Sequence, residues 1–324
     1  METICCGWPT SHYDAADRCF GFPPWAMSDR NGIWLLGDRG MLGRQMAVEL
    51  QKKGFSFSAS DREVDISDFQ SLKVFSQGKK ISWIINCAAY TAVDQAEIES
   101  AAAFRINAAG VENLAKLAAG LGARLVHFST DYVFDGQNHQ PYGENDPPRP
   151  ISQYGWSKWQ GEKLLLASWQ SVFIFRISWL YGVFGNNFVN TMLKLFREKA
   201  EVRVVNDQFG SPTYASALAS NVVRLIGVDS ERYGLYHYCD SGVISWYDFA
   251  AQIMARALAY NLLEKKIPLL AIATADYPTR AIRPAYAVLD SGKVVRELDF
   301  RVHDWRINLD DFFQEKSRLG SMLL

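Results

Sequence analysis

The sequence predicts an α/β protein: a doubly wound, mostly parallel sheet followed by a smaller C-terminal α/β domain. Three observations predict it. Short apolar runs, suited to strands buried on both faces, alternate with stretches of helical periodicity through the first half of the chain. The first of these runs leads directly into a glycine-rich turn and a helix. The fourth delivers a hydroxyl to its C-terminal end, the edge at which doubly wound sheets bind ligands.

Composition sets the bounds. The 324 residues suggest about two domains, and a hydrophobic share of 48% with 21% charged residues is that of an ordinary soluble globular protein. A net charge of −1 points to neither nucleic acid nor an anionic membrane. No apolar run reaches the ~18 residues of a membrane span. Cys5, Cys6, Cys19, Cys87 and Cys239 are odd in number and lack Cys-x-x-Cys spacing, and the histidines show no ligand spacing. Neither a disulfide framework nor a metal site is expected, a Mg2+ requirement is not legible, and reducing cytoplasm is the expected compartment.

Residues 1–31 mix Cys, Pro and acidic residues without a period and lack a basic-then-apolar leader. A loosely ordered extension is expected, with the regular domain beginning near Met27. Protease protection of residues 1–26 would count against it. Ile33–Leu36 is the first strand, and Gly37-Asp38-Arg39-Gly40-Met41-Leu42-Gly43 follows. Met46, Ala47 and Leu50 then recur at helical spacing, with Gly54 as the stop. Strand, glycine turn and helix together suit a dinucleotide, whose pyrophosphate rests on the helix N-terminus. The spacing is Gly-xx-Gly-xx-Gly, and a turn without a ligand is the plainer alternative.

A second strand, Phe55–Ala59, ends at Asp61-Arg62. Asp61 would bind ribose hydroxyls and favour NADH, whereas Arg62 and Arg39 would accept the 2′-phosphate of NADPH. The choice stays open, with NADPH slightly ahead. Asp65-Ile66 stands where an adenine is held, or forms a plain turn or helix cap. After the third strand, Trp83–Asn86, small Ala88 and Ala89 before Tyr90 would let a flat cofactor approach, or would simply permit close packing. A helix over 101–118 carries Asn107 in its interior. Asparagine is a poor interior residue there, so a specific hydrogen bond is expected.

The fourth strand, Arg124–Phe128, carries Thr130 to the sheet edge. Tyr154 and Lys158, four residues apart, share a helix face. An ammonium beside the phenol would lower its pKa and fit it for general acid-base work, with Thr130 hydrogen-bonding the same reacting oxygen. An exposed helix pair is the alternative. Val172–Ile177 is a fifth strand. The aromatic-rich second half holds Trp179, a helix opened by Asn187-Phe188, a loop over 206–213, a strand at Leu235–Tyr238 and a helix capped by Ser245. Arg280, Arg283 and Lys293 form either a solvated basic patch or guanidinium forks for a diphosphate.

Several longer motifs recur to one family. Asn86-Cys87-Ala88-Ala89-Tyr90-Thr91-Ala92-Val93-Asp94 and Ser129-Thr130-Asp131-Tyr132-Val133-Phe134-Asp135-Gly136 are two of them. Tyr154-Gly155-Trp156-Ser157-Lys158, Gly210-Ser211-Pro212-Thr213 and Arg283-Pro284 are the others. Over residues 32–310 the chain resembles the extended short-chain dehydrogenase/reductases, specifically the dTDP-4-dehydrorhamnose reductase family. The resemblance implies a Rossmann-like NAD(P)-binding domain over 32–177 with a return segment near 203–228, and a mainly substrate-binding domain over 178–324. It implies Thr130, Tyr154 and Lys158 as the catalytic set. By motif, Gly37, Gly40, Gly43, Asp65, Ile66, Ala88, Ala89 and Lys158 fall in the cofactor site. Arg39, Met41, Leu42, Asp61, Tyr90 and Asn107 join them by position. Tyr132, Trp179, Asn187, Phe188 and Arg283 would face a nucleotide-sugar.

The implied reaction passes a hydride from NAD(P)H to the C4 keto carbon of dTDP-4-dehydro-L-rhamnose, within cell-surface polysaccharide biosynthesis. Tyr154 would protonate the alkoxide, and Lys158 would hold the nicotinamide ribose. A small-molecule substrate, no nucleic acid, no membrane and a homodimer complete the expectation. Ile282 stands where the family often has the first of two arginines, and Ala287 where a serine is frequent. Both departures touch nucleotide recognition and leave the hydride chemistry alone. Two rivals are another nucleotide-sugar epimerase or dehydratase, and a non-catalytic subunit resembling the regulatory subunit of methionine adenosyltransferase. Asp131-Tyr132 after Thr130 lacks the Asp-Glu pair expected of the dehydratases.

Overall fold

A computed structural model describes residues 31–321; the expected N-terminal extension lies outside the described residues, save Asn31. In chain order the first half runs β1 (Asn31–Leu36), α1 (Met41–Lys52), β2 (Ser56–Ser60), α2 (Phe69–Ser76), β3 (Trp83–Asn86), α3 (Val93–Ala96) and α4 (Ser100–Phe104). A π-helical stretch (Arg105–Gly110), α5 (Val111–Leu121), β4 (Arg124–Thr130), α6 (Gln153–Ser168) and β5 (Val172–Ile177) follow. The second half runs β6 (Leu180–Tyr181), α7 (Phe188–Glu198), β7 (Val202–Val205), β8 (Phe209–Gly210), β9 (Thr213–Tyr214), α8 (Ala215–Gly227) and β10 (Gly234–Tyr238). It ends with β11 (Ile244–Ser245), α9 (Trp246–Ala259), β12 (Leu269–Ile272), β13 (Tyr286–Ala287), α10 (Gly292–Leu298) and α11 (Trp305–Ser321).

Six strands form one sheet in the order β10-β5-β4-β3-β1-β2, and every pairing in it is parallel. Side chains alternate across each strand, so each apolar run supplies two cores. Trp34, Leu36, Ile84 and Leu125 face the layer of α2 and α5. Ile33, Leu35, Ile85 and Phe128 face α1 and α8. Because β2 lies on one side of β1 and β3 on the other, the winding reverses between β1 and β3. The loops after those two strands therefore flank a crevice of the kind that receives ligands.

The second core gathers Tyr181, Val189, Phe249, Phe312 and Phe313 from β6, α7, α9 and α11. The chain returns to the main sheet through α8, which lies within the segment expected near 203–228, and then through β10 just beyond it. Val202–Val205 pairs instead with Leu269–Ile272, because its neighbours bury against α7 and α9. Lys293, expected in a basic patch, lies over the Tyr236 ring and donates to the Leu235 carbonyl. The single helix expected over 101–118 is three pieces, with the π-helical stretch centred on Asn107.

Candidate active site

The glycine turn is built by contact. Gly37 takes a left-handed φ of +74°, and a methyl there would lie 2.7 Å from the Ala88 nitrogen. A methyl on Gly43 would lie 2.0 Å from the Gly37 carbonyl oxygen. The first glycine therefore lets the turn meet the β3 loop, and the third lets α1 close onto the turn. The Gly37 and Asp38 amides both donate to the Ser60 carbonyl, at 2.7 and 3.3 Å. Gly40 is the N-cap and no side chain caps α1, so its first-turn amides and positive dipole end are left for an anion. The side chains beside them are spent on packing. Leu42 is in the core, and Met41 packs against Gly182 and Gly185 of the second region. Only the backbone of these two residues serves the turn.

The ribose-side residues are also engaged. Arg39 pairs with Glu63 at 3.4 Å, whose carboxylate also accepts from the Asp61 amide at 2.9 Å. Asp65 accepts from the Ser67 amide and hydroxyl at 2.8 and 2.7 Å and from Arg105 at 3.2 Å. Its pKa is lowered, first by the Ser67 hydroxyl. Ile66 is buried against Gly110. The Asp65 contacts with Ser67 form a turn and leave its carboxylate half-exposed.

Asn107 finds specific partners. Its Oδ1 accepts from the Tyr90 amide at 2.9 Å, and its Nδ2 donates to the Tyr90 carbonyl at 2.9 Å and the Ser157 hydroxyl at 3.0 Å. It clamps the loop after β3 to α6. The Tyr90 hydroxyl donates to Glu99 at 2.9 Å, out in solvent. The Ala88 amide donates to Asn86 Oδ1 at 3.0 Å, which sets the small-residue loop.

Helix α6 brings the central residues together. Ser152 caps it by accepting from the Gly155 amide at 3.1 Å. A methyl on Gly155 would lie 2.2 Å from the Tyr132 carbonyl oxygen, and one on Gly161 2.0 Å from the Asn107 carbonyl oxygen. These two glycines press the helix onto the loop after β4 and onto the π-helical stretch. Tyr154 thereby packs edge-on against Tyr132, with centroids 5.5 Å apart, and its phenol hydrogen-bonds Thr130. Thr130 Oγ1 donates to Asp131 Oδ1 at 2.9 Å and accepts from the Tyr132 amide at 3.2 Å.

Lys158 is buried. Its Nζ donates to the Phe128 carbonyl at 2.6 Å and lies 3.5 Å from His127 Nε2. Burial pulls its pKa down to about 8, against the pull of Glu162. Here the expectation for the phenol is overturned. Burial pushes Tyr154 up, the Thr130 hydrogen bond acts the other way, and Asp131 raises it further. Lys158 does not lower it, because the amine is turned to the Phe128 carbonyl. Asp131, absent from the sequence-based set, is buried with Oδ2 unpartnered. Burial pushes its carboxyl up to about 7.

On the side facing the second region, Trp179 sits at a left-handed φ of +44° and stacks on Trp246 with centroids 3.4 Å apart. Asn187 is the N-cap of α7, accepting from Asn190 and donating to the Gly182 carbonyl at 2.8 Å. Phe188 packs on Trp246 and Phe249. Both are occupied structurally. Arg283 sets its fork on Asp94 at 3.2 and 2.7 Å, and Tyr132 feels that guanidinium although burial raises its phenol overall. His127, Asn86, Gly155 and Asp131 are the participants that spacing did not flag. Asn86, Gly155 and Asp131 were signalled by their place inside the long motifs; His127 stood only within the fourth apolar run. Among the described residues no group of three or more His, Cys, Asp or Glu could hold a metal ion, and no described helix is long and apolar enough to cross a membrane.

Comparison with known proteins identifies the family and the fold. Residues 31–318 match the family model described as the RmlD substrate binding domain. The dTDP-4-dehydrorhamnose reductase of Aggregatibacter actinomycetemcomitans is 41% identical over 281 residues, which is 85% of this chain and 95% of that protein. The Escherichia coli K12 protein of the same name is 37% identical, covering 87% of this chain and 97% of its own. Among solved structures, the Bacillus anthracis dTDP-4-dehydrorhamnose reductase in complex with NADP superposes with a TM-score of 0.82 at 38% identity, covering 88% of this chain and 99% of that one. In fold, in motifs and over almost all of its described length, the chain belongs to the dTDP-4-dehydrorhamnose reductase family.

Proposed function

We propose that this protein reduces the C4 ketone of dTDP-4-dehydro-L-rhamnose with NADPH, in nucleotide-sugar biosynthesis, through Tyr154, Thr130 and Lys158. The observation that carries the reading is that the phenol–hydroxyl pair and Lys158 stand at the same sheet edge as an uncapped α1 N-terminus. That edge fits a dinucleotide. A Cβ at Gly37 or Gly43 would strike the Ala88 amide or the Gly37 carbonyl, so only glycine keeps the turn this tight, and the unclaimed first-turn amides suit a pyrophosphate. The α1 amides and the Ala88–Ala89 backbone would hold the cofactor, with Lys158 at its ribose. When bound, NADPH supplies the hydride.

The chain's own residues do the rest. Tyr154 gives its proton to the oxygen that gains charge as C4 is reduced. Its raised pKa keeps that proton in place at neutral pH, as an acid requires. Thr130 hydrogen-bonds the phenol and orients it. Asp131 holds Thr130 in turn, and its 2.9 Å hydrogen bond fixes the hydroxyl rotor. Arg283 and Tyr132 would meet the nucleotide-sugar where Asp94 now sits on the fork. A cytoplasmic setting and a homodimer, the commonest symmetric assembly, belong to the same proposal, the latter checked by light scattering.

The test is direct. Purified protein, NADPH and dTDP-4-dehydro-L-rhamnose are mixed and the absorbance of the reduced nicotinamide is followed. Loss of absorbance with formation of dTDP-L-rhamnose is expected. Tight cofactor binding without turnover would favour the regulatory-subunit reading instead.

A further inference from the structure

A buried chain of hydrogen bonds runs beneath Lys158 and begins at the cofactor loop. The Ala88 amide can only donate, so its 3.0 Å partner on Asn86 is the carbonyl oxygen, Oδ1. That fixes the amide's orientation and aims Asn86 Nδ2 at His127 Nδ1, 3.1 Å away. An amide nitrogen is a donor, so Nδ1 must accept and carries no proton. A neutral imidazole then carries its proton on Nε2, which faces Lys158 Nζ at 3.5 Å. The lysine nitrogen also donates to the Phe128 carbonyl at 2.6 Å.

We propose that Asn86 and His127 are positioning residues for Lys158, locking the imidazole as its Nε2–H tautomer and so placing a donor against the lysine nitrogen. An ammonium at that point sets N–H against N–H, whereas an uncharged amine accepts the imidazole proton. The pair therefore loosens the lysine's hold on its proton and ties that hold to the loop that contacts the cofactor. Neither residue is part of the catalytic set described above, and the role of Lys158 in turnover rests on the function proposed there.

Burial acts in the same direction on both groups: it lowers the His127 pKa first, with Lys158 second, and it lowers that of Lys158. Besides His127 on β4, the ionisable group acting on Lys158 is Glu162 on its own helix, itself paired with Arg176 on β5. Glu162 is committed to Arg176 at 2.9 and 2.6 Å and to the Ser129 hydroxyl, so its pull on the ammonium is shared. Asn107 and Ser157, from the π-helical stretch and α6, are neutral. His237 offers an internal contrast. Its Nδ1 faces the Tyr142 carbonyl at 2.9 Å and its Nε2 faces an Arg176 donor at 3.4 Å, which requires the opposite tautomer.

The test uses the full chain labelled with 15N-histidine and reads two-bond proton–nitrogen correlations between pH 5.5 and 9. The His127 signals, identified by their loss in His127→Gln, are expected to show Nε2 protonated and Nδ1 bare throughout, with His237 reversed. A protonated Nδ1 at His127, or a cationic ring in that range, overturns the proposal without involving turnover. Asn86→Asp accepts from both Ala88 and His127, so it should flip the imidazole to Nδ1–H and turn Nε2 into an acceptor. The alkaline limb of kcat/KM should then rise by about one pH unit. An unmoved limb with a flipped tautomer overturns the positioning role. Should Asn86→Asp not fold, the wild-type tautomer decides alone. The expected tautomers in a protein that binds NADPH but reduces no ketosugar would sink the functional reading and leave this one standing.

Discussion

Under the proposed function Tyr154 would enter its reaction with the proton firmly held, because burial raises the phenol, and Lys158 is the more readily titrated partner at about 8. Activity that needs the ammonium should fall as pH rises through about 8, while the phenol stays protonated. Tyr154→Phe should lose ~10²–10⁴-fold in kcat with NADPH affinity nearly unchanged; near-full turnover would remove it from the acid role. Asp131 sends a different pH signal. Its folded pKa, about 7, lies above the ordinary carboxylate value. The stability it contributes is thus complete below about pH 4 and is lost as pH rises to about 7. Asp131→Asn should flatten that slope and melt a few degrees higher than the wild type at pH 8. Equal slopes in thermal melts at pH 5 and pH 8 would count against it.

Elements differ in how much of themselves a sequence displays. β1, β3 and β5 were legible because strands buried on both faces leave short apolar runs, here residues 33–36, 83–85 and 172–175, and the glycine turn because only glycine allows such approach. Asn107 was legible as an anomaly, but not the π-helical stretch around it, since one extra residue in a turn hardly disturbs an apolar period. The Tyr154–Lys158 spacing predicted a shared face correctly. It could not predict that the Phe128 carbonyl would take the lysine, because that depends on how deep α6 sits, which Gly155 and Gly161 decide. Gly43→Ala tests the same logic at α1. With a methyl 2.0 Å from the Gly37 oxygen, α1 must back away from the turn, and NADPH affinity should weaken at least ~10-fold at a cost of about 1–3 kcal/mol in stability. An unchanged Kd by calorimetry would show that the cradle does not bind the pyrophosphate.

Across the whole molecule the return of α8 and β10 to the main sheet was the hardest feature to read. Alternating runs tell which segments are strands but not which sheet claims them. That choice is made by distant partners: Arg176 of β5 faces His237 of β10, 61 positions on, at 3.4 Å, while Glu162 holds it from α6, both side chains 3% exposed and bonded at 2.6 Å. Arg176→Met strands a buried carboxylate and should cost ~3–5 kcal/mol in urea unfolding, with Glu162→Leu added to it restoring much of the loss. Equal stability of both variants would mean that water reaches the site.

The clasp between Asp94 and Arg283 joins residues 189 positions apart and remains partly open to solvent. Under the proposed assignment, a sugar nucleotide's diphosphate does not enter a vacancy there; it must evict or share with a resident anion. Swapping one negative group for another changes little in local charge, so added salt weakens incumbent and newcomer together. Capture of the substrate should consequently be far less sensitive to ionic strength than a solitary arginine would make it.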